Sequence, residues 1–193
     1  MRELALHLLD IAENSVAAEA GTVWITVEED HAADRLRITV EDNGRGMDAE
    51  MVARVTDPFV TSRTTRKVGL GIPLLKAAAE ACNGFLTLTS TPGKGTQVVV
   101  EFQHSHIDRM PLGNLAATIL TLVVGSPQVH WVFRYRVDGQ EYEFDDAPVK
   151  AALGDVPLSE PAVLGYLRDA LESGIAEARA AAQAANARQA AAR

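Results

Sequence analysis

Residues 36–46 carry the most restrictive pattern in the chain. Leu36, Ile38 and Val40 alternate as in a half-buried strand, and the strand runs without a break into Glu41-Asp42-Asn43-Gly44-Arg45-Gly46. A carboxylate therefore arrives at the end of a strand just where two glycines let backbone come close to whatever lies there. The pattern fits a loop built around a ligand, with Asp42 accepting a hydrogen bond from an amino group, and it also fits an ordinary Asp-Asn-Gly turn.

A second feature lies downstream. Gly69-Leu70-Gly71-Ile72-Pro73 opens a predicted helix ending near Asn83-Gly84, with Pro73 suited to the first turn. Free N–H groups and the positive end of a helix dipole stand there beside Arg63, Arg66 and Lys67, the ingredients of an anion site. No phosphate loop of the Gly-x-x-x-x-Gly-Lys-Ser/Thr kind is present, and Gly93-Lys94-Gly95-Thr96 has the wrong spacing for one. On the first predicted helix, residues 3–18 and ended by Gly21, Leu4, Leu8, Ile11 and Ala12 face a core. Asp10 and Asn14 share another face. An amide oxygen is a fair Mg²⁺ ligand when phosphates supply charge, and a carboxylate one turn earlier can orient a nucleophile.

The remaining pattern sets the architecture. Strands are expected over 23–27, 85–89 and 97–102, a short helix capped by Asp48 over 48–55, and a polar, basic loop over 60–68. Helix, two strands, loops, helix, two strands implies an α+β fold, a mixed sheet covered by helices on one face. From about residue 104 the character changes to an apolar helix near 112–124 and a hairpin, Val129 to Val137 and Glu141 to Phe144, turning at Asp138-Gly139. A helix from about Glu160 follows, then an Ala-rich tail from Ala176 without an apolar stripe, either solvated or frayed. The expected units are residues 1–103, a C-terminal α/β extension over 104–175, and the tail 176–193. The extension is expected to be a separately packed addition that mediates self-association or partner docking, its hydrophobic material either covering the sheet of the first unit or meeting another chain, with dimerisation preferred.

These motifs, in this order, resemble the GHKL superfamily, the Bergerat-fold ATPases. Leu8 to Ser15 is similar to the N box, Asp42 to Met47 to the first glycine box, and Asp57-Pro58-Phe59 with Thr61-Ser62-Arg63 to the F box. Gly69 to Leu74 is similar to the second glycine box and Gly93 to Thr96 to the third. The F box and the Gly-Leu-Gly box resemble histidine kinases and anti-sigma kinases more than gyrase. The resemblance implies a Bergerat two-layer sandwich that binds ATP and Mg²⁺. It implies that Asn14 holds the metal and that Asp42 takes the adenine amino group. Gly44 and Gly46 would line the base, Thr96 would reach it through water, and Gly69, Leu70 and Gly71 would face the phosphates. Arg63, Arg66 and Lys67 would be phosphate contacts by location. Asp10 stands where hydrolytic members carry a glutamate base, one methylene shorter.

What the ATP serves is open between three readings: a kinase acting on histidine or on serine and threonine, a non-catalytic ATP-sensing module, and a weak ATPase clamp. The motifs begin within a few residues of Met1, so a standalone protein without preceding phosphoacceptor helices is expected. Ser105-His106-Ile107-Asp108-Arg109-Met110-Pro111 has the histidine, arginine and proline spacing of an H box. It makes His106 a candidate phosphoacceptor or, alternatively, part of a linker leading to a helix cap. His104 and His106, two apart, would share a face and reach a metal with Asp108. A net charge of −8 argues against broad nucleic-acid binding, and the stretch from Leu112 to Val124 is too short to span a bilayer, so a cytoplasmic protein is expected.

Overall fold

The computed structural model describes residues 3–56 and 71–191. Helix α1 spans Leu4–Ala17, and strands β1 (Thr22–Asp30) and β2 (Arg35–Asp42) follow as an antiparallel pair. Helices α2 (Ala49–Thr56) and α3 (Gly71–Ala81) lead to β3 (Phe85–Thr91) and β4 (Gly95–Gln103). The second half holds α4 (Leu115–Gly125), β5 (His130–Val137), β6 (Gln140–Asp145), α5 (Ala147–Leu153) and α6 (Pro161–Ala191).

All six strands form one mixed sheet in the order β3-β4-β2-β1-β5-β6. Every pairing is antiparallel except β1 with β5, which run parallel from Thr22 opposite His130 to Glu29 opposite Val137. Alternation decides which face is covered. Val23, Ile25 and Val27 of β1, Leu36, Ile38 and Val40 of β2, and Val98, Val100 and Phe102 of β4 are buried, and their neighbours in sequence are more accessible. In β5, Trp131, Phe133, Tyr135 and Val137 join the same core, which Leu4, Leu8, Leu75, Ile119, Leu167 and Leu171 close from the helices. The result is the expected α+β arrangement, a mixed sheet with a helical layer on one face.

Three local expectations are corrected. Gly21 does not end α1. The helix closes on Ala18, whose N–H reaches Asn14, and Glu19 takes the left-handed conformation at φ 60° while the Ala20 N–H returns to the Ser15 carbonyl. The segment after residue 104 is not packed separately, because β5 and β6 extend the sheet along β1. The Ala-rich tail carries buried residues: Ala178 and Ala182 continue the line of Leu167, Leu171 and Ile175 against the core. Small side chains let α6 lie close to its neighbours without a strongly apolar sequence; at Gly174 an added Cβ would stand 2.0 Å from the Tyr142 ring.

Two outcomes follow from this packing. A chain ending at Gln103 loses the partner of the β1 edge together with α4 and α6, and is expected to be insoluble or to lose cooperative unfolding, as judged by soluble yield and thermal melting. His7 is buried in α1, and burial holds its imidazole below the ordinary value of 6.5. As pH falls below 6.5 the unfolded chain binds a proton that the folded chain refuses, so stability is lost on the acid side. His7→Leu is expected to remove that part of the slope in denaturant titrations across pH.

Candidate nucleotide site

Asp42 is the last residue of β2 and stays in step with Leu36, Ile38 and Val40, so its carboxylate enters the helix-covered face and is only 6% exposed. A charge so placed needs partners. The Ser15 hydroxyl donates to Oδ2 at 2.7 Å, and Oδ1 accepts from the N–H groups of Gly44 at 2.9 Å and Thr96 at 3.3 Å. A carboxylate has about four acceptor positions, so three protein donors leave room for one more from outside.

The loop after Asp42 is fixed from both sides. Asn43 Oδ1 accepts from the N–H groups of Gly21 (2.9 Å) and Thr22 (2.8 Å), and the Arg45 N–H donates to the Ala18 carbonyl. On the other side, the Gly93 N–H donates to the Arg45 carbonyl, and the Met47 N–H to Ser90 Oγ, which also meets Thr96 Oγ1 at 2.9 Å. Here glycine is a steric requirement. Gly46 sits at φ +66° with the position of a Cβ 2.0 Å from the Thr91 carbonyl oxygen, and Gly95 at φ +105° with its own 1.8 Å from the Asp42 carbonyl oxygen. Thr96 faces Asp42 across the β2–β4 pair.

Helix α1 supplies the opposite wall. Ser15 is the end of its buried stripe, and Asn14, beside it, is exposed. Asp10, one turn earlier, lies against the start of the described part of α3, where a Cβ on Gly71 would be 3.2 Å from its Oδ2. Asp10, Asn14, Asp42, Gly44, Gly46, Gly71 and Thr96 thus gather at one end of the sheet, under α1 and α3. Arg63, Arg66, Lys67, Gly69, Leu70 and the F box at 57–63 lie outside the described residues. Sequence reasoning left Ser15 and Ser90 without roles. Ser15 was findable as a hydroxyl on an otherwise apolar helical stripe; Ser90 carried no such signal.

His106 is elsewhere. It follows the far end of β4, seven strand residues from Thr96, or roughly 23 Å at about 3.3 Å per residue. It lies in a turn whose N–H returns to Gln103, with Nδ1 accepting from the Asp108 N–H, and the next helix begins only at Leu115. His104 does not pair with His106: its Nε2 lies 3.0 Å from Glu29 Oε2.

A buried carboxylate with a spare acceptor position is thus framed by two backbone-tight glycines and a helix that carries an exposed amide. Residues 1–106 match the family described as histidine kinase-, DNA gyrase B-, and HSP90-like ATPase, and the chain belongs to that family. Among curated relatives, the Sensor protein kinase FleS of Pseudomonas aeruginosa is 43% identical over 89 residues, 46% of this chain and 22% of its own. The Non-motile and phage-resistance protein of Caulobacter vibrioides is 33% identical over 111 residues, 53% of this chain and 13% of its own. The chain therefore matches only a minor part of the length of these proteins. Among solved structures, the Aquifex aeolicus MutL ATPase domain complexed with ADP superposes with a TM-score of 0.51 at 15% identity, covering 90% of this chain and 70% of that one, a likeness of fold.

Gly46→Ala is expected to destabilise the protein by about 2–4 kcal/mol, since the new methyl meets a carbonyl that two strands hold in place. Denaturant unfolding measures it, and a change near zero would show that the loop shifts freely.

Proposed function

We propose that the chain binds ATP with Mg²⁺ in this pocket and serves as the ATP-binding part of a histidine-kinase-like protein, transferring phosphate to, or regulating, a protein partner. The observation that carries the reading is the spare acceptor position on buried Asp42. An adenine amino group is a neutral donor of the right kind for it, and a charge-assisted bond contributes about 1.5–3 kcal/mol. Gly44 and Gly46 bring backbone close enough to sandwich a flat base, and Thr96 stands beside Asp42 for a contact through water. Asn14 offers an amide oxygen to Mg²⁺, an ion that keeps waters and shares its remaining sites with phosphate oxygens. Gly69, Leu70 and Gly71, with Arg63, Arg66 and Lys67, fit the triphosphate side of such a site by their order in the sequence. Asp10, against α3, is positioned to orient a hydroxyl or water near that end.

Kinase chemistry is favoured over a clamp by relatives described as sensor proteins and sensor kinases. His106 of the same chain is set aside as the acceptor, since β4 separates it from the pocket, and the proposed acceptor is one carried by a second chain. That chain, a partner or a second copy, is placed against residues 104–175, where Ile107, Val156 and Tyr166 are exposed. Among the described residues no helix is long and apolar enough to cross a membrane.

Asp42→Asn is expected to weaken ATP binding by about tenfold or more, 1.4 kcal/mol, in calorimetry, because an amide NH₂ then opposes the adenine donor. Equal affinity sinks the adenine assignment. Asn14→Ala should weaken binding only when Mg²⁺ is present; an equal loss without the metal makes Asn14 structural. Incubation with γ-labelled ATP and Mg²⁺ tests transfer. Acid-labile label on a protein means phosphohistidine and acid-stable label a hydroxyl ester. Absence of label with ATP binding intact removes self-phosphorylation and leaves the sensing role or transfer to a partner substrate.

A further inference from the structure

At the end of the sheet away from Asp42, β1, the β1–β2 turn, the segment after β4, the β5–β6 turn and α6 bring together a polar cluster that the nucleotide site does not use. We propose that Glu29, His31 and His104 form a binding site for a divalent transition ion of the zinc class. Their candidate ligand atoms all lie within 4.8 Å of one another. Two imidazoles and one carboxylate are a donor set suited to zinc and its neighbours rather than to Mg²⁺ or Ca²⁺.

Glu29 and His31 are each already aimed by residues outside the ligand set, and His104 is turned toward Glu29. Glu29 Oε1 accepts from the Tyr135 hydroxyl at 2.5 Å and from Arg179 at 3.4 Å, which leaves Oε2 facing His104 Nε2 at 3.0 Å. His31 Nδ1 meets Asp138 Oδ2 at 2.9 Å, and Asp138 is held in turn by the His31 N–H and Asn186. In the tautomer whose Nδ1–H donates to Asp138, Nε2 is the His31 nitrogen left to ligate, as carboxylate–histidine pairs arrange at metal centres. The two imidazoles lie edge to face with centroids 4.5 Å apart. Burial works to raise the Glu29 carboxyl, but the hydrogen bonds from Tyr135 and His104 and the Arg179 cation outweigh it and hold the group below its ordinary range.

Access and field agree with the donor set. The His31 side chain is 49% exposed, against 18% for His104 and 13% for Glu29, so an ion enters past His31 and finds two sheltered ligands behind it. A groove of about 760 Å³ opens there, lined by Glu28, Glu29, Asp30, Asp138 and Glu141, with Arg136 paired to Glu141, Arg35 to Glu28 and Asp30, and Arg179 to Glu29. Ligands of a tetrahedral zinc stand about 3.3 Å apart, so occupation needs only a small inward swing of exposed His31. The ion replaces the proton between His104 and Glu29, and the fourth place goes to water. A second cluster, His130, Asp145 and Asp146, is less suited, because Asp146 is bonded to Lys150 and to the Trp131 N–H.

The test uses the full chain, treated with a chelator, dialysed and titrated with ZnCl₂ by calorimetry, with Co²⁺ absorption reporting ligand geometry. One equivalent bound at micromolar affinity or tighter is expected. His31→Ala and His104→Gln should each weaken it by about tenfold or more, while His130→Ala should leave it unchanged. His104→Gln keeps a hydrogen-bonding group toward Glu29, and circular dichroism with ATP titration shows whether each variant is folded. Absence of zinc uptake, uptake unchanged in both folded variants, or loss on His130→Ala overturns the site and leaves the cluster a hydrogen-bonded support for α6.

Discussion

A carboxylate at the end of an apolar stripe organises this molecule. Removing a charge from water costs several kcal/mol unless donors replace the lost hydration, so burying Asp42 commits neighbouring elements to reach it. Helix α1 answers with Ser15, the loop with the Gly44 N–H and β4 with the Thr96 N–H. Each donor belongs to a different element. Their convergence fixes the angle of α1 on the sheet, the path of the β2 exit and the register of the hairpin turn together. The glycines at 46 and 95 are the steric counterpart of that convergence, since backbones drawn in so closely leave no room for a side chain.

The second half of the chain completes what the first half begins. Strand β5 pairs along the whole inner length of β1, and its inward residues, Trp131, Phe133 and Tyr135, are among the largest buried side chains. Asp138 and Tyr135 then place polar groups at the end of β1, where Arg179 of α6 also arrives. The family match stops at residue 106, yet the fold likeness to the MutL ATPase domain covers 90% of the chain. The later strands and helices are thus part of one sheet and one core.

Legibility in the sequence followed locality. The α1 stripe, the β2 alternation leading to Asp42 and the glycines of the loop were readable because periodicity and backbone freedom are written in neighbouring residues. The Asp48 cap was readable for the same reason, and its Oδ1 does accept from the Met51 N–H. Helix α5 was not readable: its seven residues have no buried face to create a period. The parallel pairing of β1 with β5 leaves no mark in either strand, and so the extension read as separate. Alanines at 178 and 182 gave no contrast within an Ala-rich run, although both are buried. His31 and His104 stand far apart in sequence and meet only because the β1–β2 turn packs on the segment after β4, where Asp34 takes the Ser105 N–H and hydroxyl and the Gln103 amide.

The β1–β5 pairing also governs the order in which the protein comes into being. Thr22 and His130 are more than a hundred residues apart, and β1 sits in the middle of the final sheet. Closing so large a loop is entropically costly and slows folding relative to local pairings. During synthesis at about 5–20 residues per second, the hairpins β1–β2 and β3–β4 are complete for several seconds before β5 exists. Throughout that interval the inner edge of β1 displays unpaired N–H and C=O groups beside Val23, Ile25 and Val27. The nascent chain therefore carries, for a defined span of its elongation, a central strand edge whose native cover is made only by its own later residues.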